Sequence, residues 1–215
     1  EISQVIVDPC AQRLPKAYGY SAFDNIQVLC PSKKGELGTA EMNFRLQKAL
    51  NPKSADKAEI EIASKTFRIG DKVMQIKNNY DITWIRDDGE QGSGIFNGDI
   101  GIIDSIDRKS RTLIVIFDDK TAKYTYEYAT DLDFAYAFPV HKTQVTEFAC
   151  EIIPIFQDPP HLFYRNLLYP AVTRAKKTLV LVGNPNTVEY MVQNNRRTKR
   201  YSGLKEFLLR DEQLY

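Results

Sequence analysis

The 215-residue sequence lacks the features that mark several classes of protein. No apolar run approaches the ~18–20 residues that cross a bilayer. The three cysteines, Cys10, Cys30 and Cys150, are widely spaced without a CxxC pair, and only two histidines occur. This pattern excludes a disulfide framework and a zinc site, so we expect reduced thiols and a cytoplasmic protein. With 29 Lys+Arg against 28 Asp+Glu, the chain is not uniformly basic, although a local basic groove fits this balance.

Another absence concerns nucleotide chemistry. No GxxxxGK[ST] phosphate loop occurs, and no acidic pair follows a strand in the way that a Mg²⁺ site requires. These residues alone therefore do not form a P-loop nucleotide site. The chain opens on Glu1 rather than Met, and we expect it to be a piece of a longer protein.

Apolar periodicity predicts an α/β fold at both ends of the chain. The run Ile26–Cys30 is typical of a buried strand, and helical spacing follows it up to Asn51. Later segments predict a strand at 149–156, a helix at 163–177, a strand at 178–183 and a helix at 187–193. Alternating strands and helices indicate a parallel sheet.

The middle of the chain has a different pattern, with four or five short strands separated by Gly/Asp/Asn turns and no helical stretch. This pattern predicts a small SH3- or OB-type β-barrel, with a mobile loop at 87–94. Tyr124, Tyr126 and Tyr128 alternate along one strand, where they either pack or stack on bases. We thus predict one parallel-sheet domain, residues 1–66 and 134–215, interrupted by a barrel at residues 67–133.

Two polar segments offer candidate functional residues. In the first, His141, Lys142, Thr143 and Gln144 supply hydrogen-bond donors for phosphates, and Glu147 supplies an acceptor for a sugar hydroxyl. Spacing alone leaves a solvated helix cap as the other interpretation.

The second segment runs from residue 165 to residue 177. Its apolar residues mark one buried helical face, and Arg174 lies beside that face. An arginine so placed either reaches a phosphate across an interface or is a surface cation near a helix end. Spacing does not separate the two.

Taken together, these motifs resemble the RecD-like branch of the superfamily 1 DNA helicases. The resemblance covers about 26–209 and rests on five ordered segments: 26–31, 67–80, Phe96-Asn-Gly-Asp-Ile-Gly, His141-Lys-Thr-Gln with its flanks, and 165–183. It implies a second RecA-like domain with an inserted SH3-like module. ATP and Mg²⁺ then bind in the full-length protein, between this domain and an upstream RecA-like domain, and this fragment alone binds neither and is inactive.

The resemblance also implies roles for particular residues. Arg174 is the expected arginine finger on the γ-phosphate of ATP, and Gln144 and Glu147 couple the nucleotide to the DNA strand. The expected contacts to single-stranded DNA are His141, Lys142 and Thr143, and in the inserted module Asn79, Tyr80 and Asn97, for which turn structure is the alternative role.

The function that this resemblance implies is the C-terminal motor region of an ATP-dependent 5′–3′ DNA helicase in DNA repair and recombination. Its implied partners are single-stranded DNA and nuclease–helicase subunits like those of exodeoxyribonuclease V. Two alternatives stay open: a non-catalytic nucleic-acid-binding module with decayed motifs, and the helicase portion of a conjugative relaxase. Pro139, Val145 and Pro170 depart from the family pattern and favour decay. Pro170 also predicts a kink or restart of its helix.

Overall fold

The computed structural model describes residues 2–140, 147–156 and 164–195. The helices are α1 (Gln4–Asp8), α2 (Leu14–Tyr18), α3 (Thr39–Leu50), α4 (Arg165–Val172) and α5 (Pro185–Gln193), with a π-helical turn at Pro9–Arg13 and a 3₁₀ turn at Tyr128–Asp131. The strands are β1 (Ile26–Cys30), β2 (Glu59–Ile62), β3 (Lys65–Arg68), β4 (Lys72–Gln75), β5 (Asn79–Arg86), β6 (Gln91–Ile95), β7 (Ile100–Asp107), β8 (Thr112–Phe117), β9 (Lys120–Thr125), β10 (Leu132–Phe134), β11 (Ala137–Pro139), β12 (Phe148–Ile155) and β13 (Ala175–Gly183).

Four strands form a parallel sheet in the order β11-β1-β12-β13. All five residues of β1 are buried, as expected for a strand covered on both faces. One face packs against α1, α2 and α3, with Met42 and Leu46 in its core. The other face packs against α4 and α5, with Leu168 and Met191 in its core. The predicted α/β class with a parallel sheet is confirmed.

Seven strands form an antiparallel sheet in the order β10-β4-β7-β8-β9-β5-β6. The hairpin β2-β3 packs on its core through Ile62 and Phe67. A β module inserted between α3 and β11 is thus confirmed, with more strands than the four or five that the sequence indicates. Tyr124 is fully buried and its hydroxyl donates a hydrogen bond to Gln75 Oε1 over 2.9 Å, so this tyrosine packs and does not present a face to bases.

The predicted mobile loop at 87–94 is wrong. Residues 91–95 form β6, which pairs with β5 in a hairpin. Gly92 lies opposite Trp84, and a Cβ on Gly92 would stand 2.3 Å from Cζ2 of the indole ring. The glycine therefore gives Trp84 room to pack across the hairpin, which is a reason for glycine inside a strand.

The helix predicted at 163–177 is shorter in the structure. α4 continues through Pro170 without a restart and ends at Val172, where Thr173 N and Oγ1 both donate to the carbonyl of Tyr169. β13 begins at Ala175, three residues earlier than predicted, because Ala175 already pairs with Phe148 of β12. Tertiary pairing thus overrides the helical spacing of this segment.

A buried carboxylate, Asp71, fixes the inserted module to the parallel-sheet domain. It accepts hydrogen bonds from Asn51 Nδ2 (2.7 Å), Gln47 Nε2 (2.7 Å), the Arg68 amide (2.8 Å) and the Tyr136 hydroxyl (2.9 Å). These donors come from α3 and its end, from β3 and from the segment before β11. Burial raises the pKa of Asp71, and the hydrogen bonds oppose that effect.

A second buried contact joins the module to β1. Lys72 Nζ donates to Gln27 Oε1 over 3.1 Å, and Gln27 Nε2 donates to the carbonyls of Ala135 (3.2 Å) and Tyr136 (2.9 Å). Burial lowers the pKa of Lys72 to about 8. The first strand of the module is therefore tied to the central strand of the parallel sheet.

Within the described ranges, no helix has the length and apolar character needed to cross a membrane.

Candidate functional site

Two of the predicted functional residues meet at one edge of the parallel sheet. Glu147 directly precedes β12 and Arg174 directly precedes β13, and the two strands are paired in parallel from Phe148 and Ala175 onward. Both side chains therefore start from the amino-terminal ends of neighbouring strands. The sequence predicts each residue singly, and the strand register places their backbones side by side.

Glu147 forms an ion pair at this edge. Its Oε2 lies 3.1 Å from Nζ of Lys176, the second residue of β13, and both side chains are more than half exposed. An exposed pair of this kind contributes little to stability. The carboxylate and the ammonium are both accessible to a ligand in solvent.

Arg174 lies in the turn between α4 and β13 and is half-buried. No hydrogen bond or salt bridge to the described residues holds its guanidinium. A guanidinium offers five N–H donors in a planar fork that matches phosphate oxygens. This side chain is therefore available to an anionic group that approaches the sheet edge.

The structure adds a residue that the sequence analysis passes over. Glu151 lies in the middle of β12 and is fully buried, and neither of its carboxylate oxygens has a hydrogen-bond partner among the described residues. Burial raises the pKa of Glu151 to about 7, and the charge of Arg174 acts in the opposite direction. The available signal was a single acidic residue inside the apolar run Phe148–Ile155.

The predicted residues of the module lie in the antiparallel sheet. Asn79 Oδ1 accepts from the amide of Asp81, and the amide of Asn97 donates to Asn78 Oδ1 in the turn between β6 and β7. Tyr80 is 67% exposed and makes an edge-to-face contact with Phe96, with ring centroids 5.7 Å apart. Both asparagines thus contribute to turns, and Tyr80 is the accessible aromatic side chain of the set.

The remaining predicted contacts, His141, Lys142, Thr143 and Gln144, lie outside the described residues, as does Val145. Their predicted roles stay predictions. The segment that holds them connects β11 to β12 and ends at Glu147, so it enters the edge where Arg174 stands.

The described residues fit part of a nucleotide site. Arg174 and Lys176 place two cations at one sheet edge, which suits a phosphate chain. No cluster of His, Cys, Asp or Glu in the described ranges could hold a metal ion. A metal that accompanies the nucleotide needs ligands from elsewhere.

Two family models match the chain. The model described as ATP-dependent RecD-like DNA helicase SH3 domain matches residues 42–117, and the UvrD-like helicase C-terminal domain matches residues 134–182. The chain is homologous to the RecD-like DNA helicases. The first matched stretch covers most of the inserted module. The second covers β10 to most of β13 and includes Glu147, Glu151 and Arg174.

Similar proteins agree with these models. The ATP-dependent RecD2 DNA helicase of Deinococcus radiodurans is 29% identical over 81% of this chain and 22% of its own length. The RecBCD enzyme subunit RecD of Mycolicibacterium smegmatis is 23% identical over 97% of this chain and 35% of its own length. The chain therefore spans well under half of either relative. A crystal structure of the Bacteroides Pif1 helicase with ADP-AlF3 and ssDNA overlaps 97% of this chain and 49% of that chain, with 14% identity and a TM-score of 0.48.

Proposed function

We propose that the chain is the C-terminal motor region of an ATP-dependent DNA helicase and that Arg174 contacts the γ-phosphate of ATP. The observation that carries the proposal is the guanidinium of Arg174, half-buried at the sheet edge, inside the matched helicase domain and without a hydrogen bond to the described residues. A structural arginine so placed would normally be paired. An arginine that binds a ligand has to be available.

Arg174 would hold ATP together with Glu147 and Gln144, and Mg²⁺ would be held by an upstream RecA-like domain that carries the phosphate loop. Bound ATP supplies phosphoryl-transfer chemistry that builds negative charge on the γ-phosphate. The guanidinium of Arg174 stabilises that charge, which is the role of an arginine finger. Glu147 orients the nucleotide through its carboxylate, and its pairing with Lys176 keeps that carboxylate at the edge.

Single-stranded DNA is the proposed substrate, with His141, Lys142 and Thr143 on its phosphates and Tyr80 in the module as a stacking contact. The exposed Tyr80–Phe96 pair supports the last assignment. Movement follows if the domain contacts the strand differently with and without nucleotide, the condition for any ligand-driven change. The proposed direction is 5′ to 3′, and the proposed setting is cytoplasmic, with nuclease–helicase subunits as partners.

The proposed division of the chain is a RecA-like domain at residues 1–66 and 134–215 and an SH3-like module at residues 67–133. Separate buried clusters support it, one pair on the two faces of the parallel sheet and one inside the antiparallel sheet. The boundary at residue 67 falls inside β3, whose hairpin packs on the module.

The test is ATP hydrolysis by the full-length protein carrying Arg174→Ala. We expect DNA-stimulated kcat to fall by about 10³-fold or more, the range measured for arginine fingers. Arg13→Ala, at an exposed position on the π-helical turn, is the matched control and should leave kcat unchanged. A kcat for Arg174→Ala within about threefold of wild type would instead support the non-catalytic binding module.

The DNA contacts are tested separately by a salt series on single-stranded binding. Removing one cationic side chain from a phosphate should reduce the slope of log K against log salt by about 0.7. The double variant His141→Ala/Lys142→Ala is expected to show this reduction. An unchanged slope would remove these residues from the proposed path of the strand.

A further inference from the structure

Glu151 occupies an unusual place for a carboxylate. It lies on the face of the parallel sheet that α4 covers, beside Ile153, which packs with Leu168 and Ala171 of that helix. The side chain is completely buried. Burying a carboxylate without a donor is costly, so such a group is normally paired or replaced by an apolar residue.

The neighbouring strands explain why Glu151 has no donor among the described residues. On β1 its register partner is Gln27, whose amide nitrogen already serves backbone carbonyls and whose oxygen accepts from Lys72. On β13 its register partner is Leu179, which is apolar. The sheet therefore offers Glu151 no hydrogen bond from either side.

One cation acts on Glu151 from the adjoining turn. Arg174 follows α4, the helix that covers the face on which Glu151 stands, and precedes Ala175, which pairs with Phe148 three residues before Glu151. Its positive charge stabilises the ionised form of Glu151. The guanidinium itself is not engaged by the described residues, so it is able to move between two partners.

We propose that Glu151 is a positioning residue for Arg174, which it attracts when no nucleotide is bound and releases when the guanidinium contacts the γ-phosphate. The first half of this inference depends only on the two side chains. The second half rests on the proposed function of Arg174.

The exchange is linked to one proton. When Arg174 leaves, Glu151 loses the charge that favours its ionised form and takes up a proton from solvent; when Arg174 returns, Glu151 releases it. Other charged or titratable groups near it are Lys72, which bonds to Gln27, the Glu147–Lys176 pair at the edge, and Cys150, whose pKa burial raises to about 11. Among these described groups, Arg174 is the one whose engagement changes with nucleotide.

The first experiment needs no ATP. The ¹³C resonance of the Glu151 carboxyl is titrated in the 215-residue chain for wild type, Arg174→Gln and the control Arg13→Gln. We expect the pKa of Glu151 to be higher in Arg174→Gln by about half a unit to one unit, and to match wild type in Arg13→Gln. An unchanged pKa in Arg174→Gln would overturn the coupling.

The second experiment measures the KM for ATP of the full-length protein from about pH 6 to about pH 8.5, a range that brackets the titration of Glu151. Relative to Glu151→Gln, the wild-type KM should rise about threefold to tenfold as the pH passes 7, because ionised Glu151 then competes for Arg174. Titration of ATP itself is common to all variants. Glu61→Gln, an exposed carboxylate on β2, should keep the wild-type profile.

The outcomes separate this inference from the proposed function. If Arg174→Ala abolishes hydrolysis but Glu151→Gln has the same pH profile of KM as wild type, Glu151 does not position Arg174 and the inference fails. If Arg174→Ala leaves hydrolysis intact, the proposed function fails, and the ¹³C titration still decides whether the two side chains are coupled. Glu151→Leu, which preserves apolar packing, repeats the KM profile in case the Gln variant folds poorly.

Discussion

Two carboxylates in this molecule, Asp71 and Glu151, are fully buried, and they are treated in opposite ways. Asp71, at the junction between the inserted module and the sheet, accepts four hydrogen bonds from four different residues. Glu151, near the edge that carries Arg174, accepts none from the described part of the chain. The first carboxylate is complete within the fold, and the second is completed only by a group that moves.

This difference separates structural from functional polarity. The donors to Asp71 come from segments far apart in the chain, so Asp71 defines how the module is attached. At the other site, the half-buried Arg174 and the exposed Glu147 leave charge available to ligands. The charge balance follows the same division: the segment 67–133 holds nine Lys/Arg and 13 Asp/Glu, whereas the rest of the chain is net positive.

The largest effect on stability is expected from Asp71→Asn. The amide presents N–H groups where donors already point, so the variant cannot keep all four buried hydrogen bonds. We expect the free energy of unfolding to fall by about 3–5 kcal/mol, as when a buried polar network is deprived of one partner. Urea denaturation measures it. Asp104→Asn, at an exposed position on β7, is the control, and equal stability of the two variants would contradict the structural role of Asp71.

A smaller effect of opposite sign is expected from Glu151→Leu. Because the pKa of Glu151 is about 7 in the folded state against an ordinary 4.5, the folded state holds its proton more tightly. Its stabilising effect is full below pH 4.5 and is lost as the pH rises to 7. Between about pH 5 and pH 8, wild type should therefore lose on the order of 2–3 kcal/mol that Glu151→Leu retains.

Urea denaturation at the two pH values measures this loss, with Glu61→Gln expected to behave as wild type. Parallel pH dependence of wild type and Glu151→Leu would mean that Glu151 ionises freely in the folded state. The contrast with Asp71 would then disappear.

Packing in the module provides a third test. Gly92→Ala places a methyl group 2.3 Å from the Trp84 ring, so the hairpin has to shift. We expect a loss of about 1–3 kcal/mol, typical of overpacking. In a background with Trp84→Ala the same change should cost much less, which a double-mutant cycle measures. Ser93→Ala is the control, and additive effects at residues 84 and 92 would rule out the proposed contact.

The smallest effect on stability is expected from Glu147→Gln. Its ion pair with Lys176 is exposed, so the free energy of unfolding should change by at most about 0.5 kcal/mol. In the full-length protein the same variant should lower DNA-stimulated ATP hydrolysis. A thermal melt and a hydrolysis assay on one preparation measure both. A variant that is as active as wild type would remove Glu147 from the proposed nucleotide site.

Much of the fold could be predicted from local patterns. The buried run of β1, the helical spacing of α3 and the short strands of the module each follow from the spacing of apolar residues. The ends of α4 and β13 could not, because pairing between Ala175 and Phe148 decides them. The β5-β6 hairpin was missed because Gly92 is typical of a loop unless the position of Trp84 is known.

The candidate site was predicted in part. Motif resemblance identified Arg174 and Glu147, and strand register then placed their backbones together. Asp71 could not be recognised, because its donors at residues 47, 51 and 136 meet it only in the fold. Glu151 left one trace, an acid in an apolar strand, and its lack of a donor in the described residues depends on how Gln27 is bonded.

The most direct test of the central claim is a structure of the full-length protein with single-stranded DNA and ADP-aluminium fluoride, a mimic of the transferring phosphate. We predict that the guanidinium of Arg174 lies within hydrogen-bond distance, about 2.7–3.2 Å, of the mimic and has turned away from Glu151. An Arg174 that remains beside Glu151, with another cation on the mimic, would contradict the account.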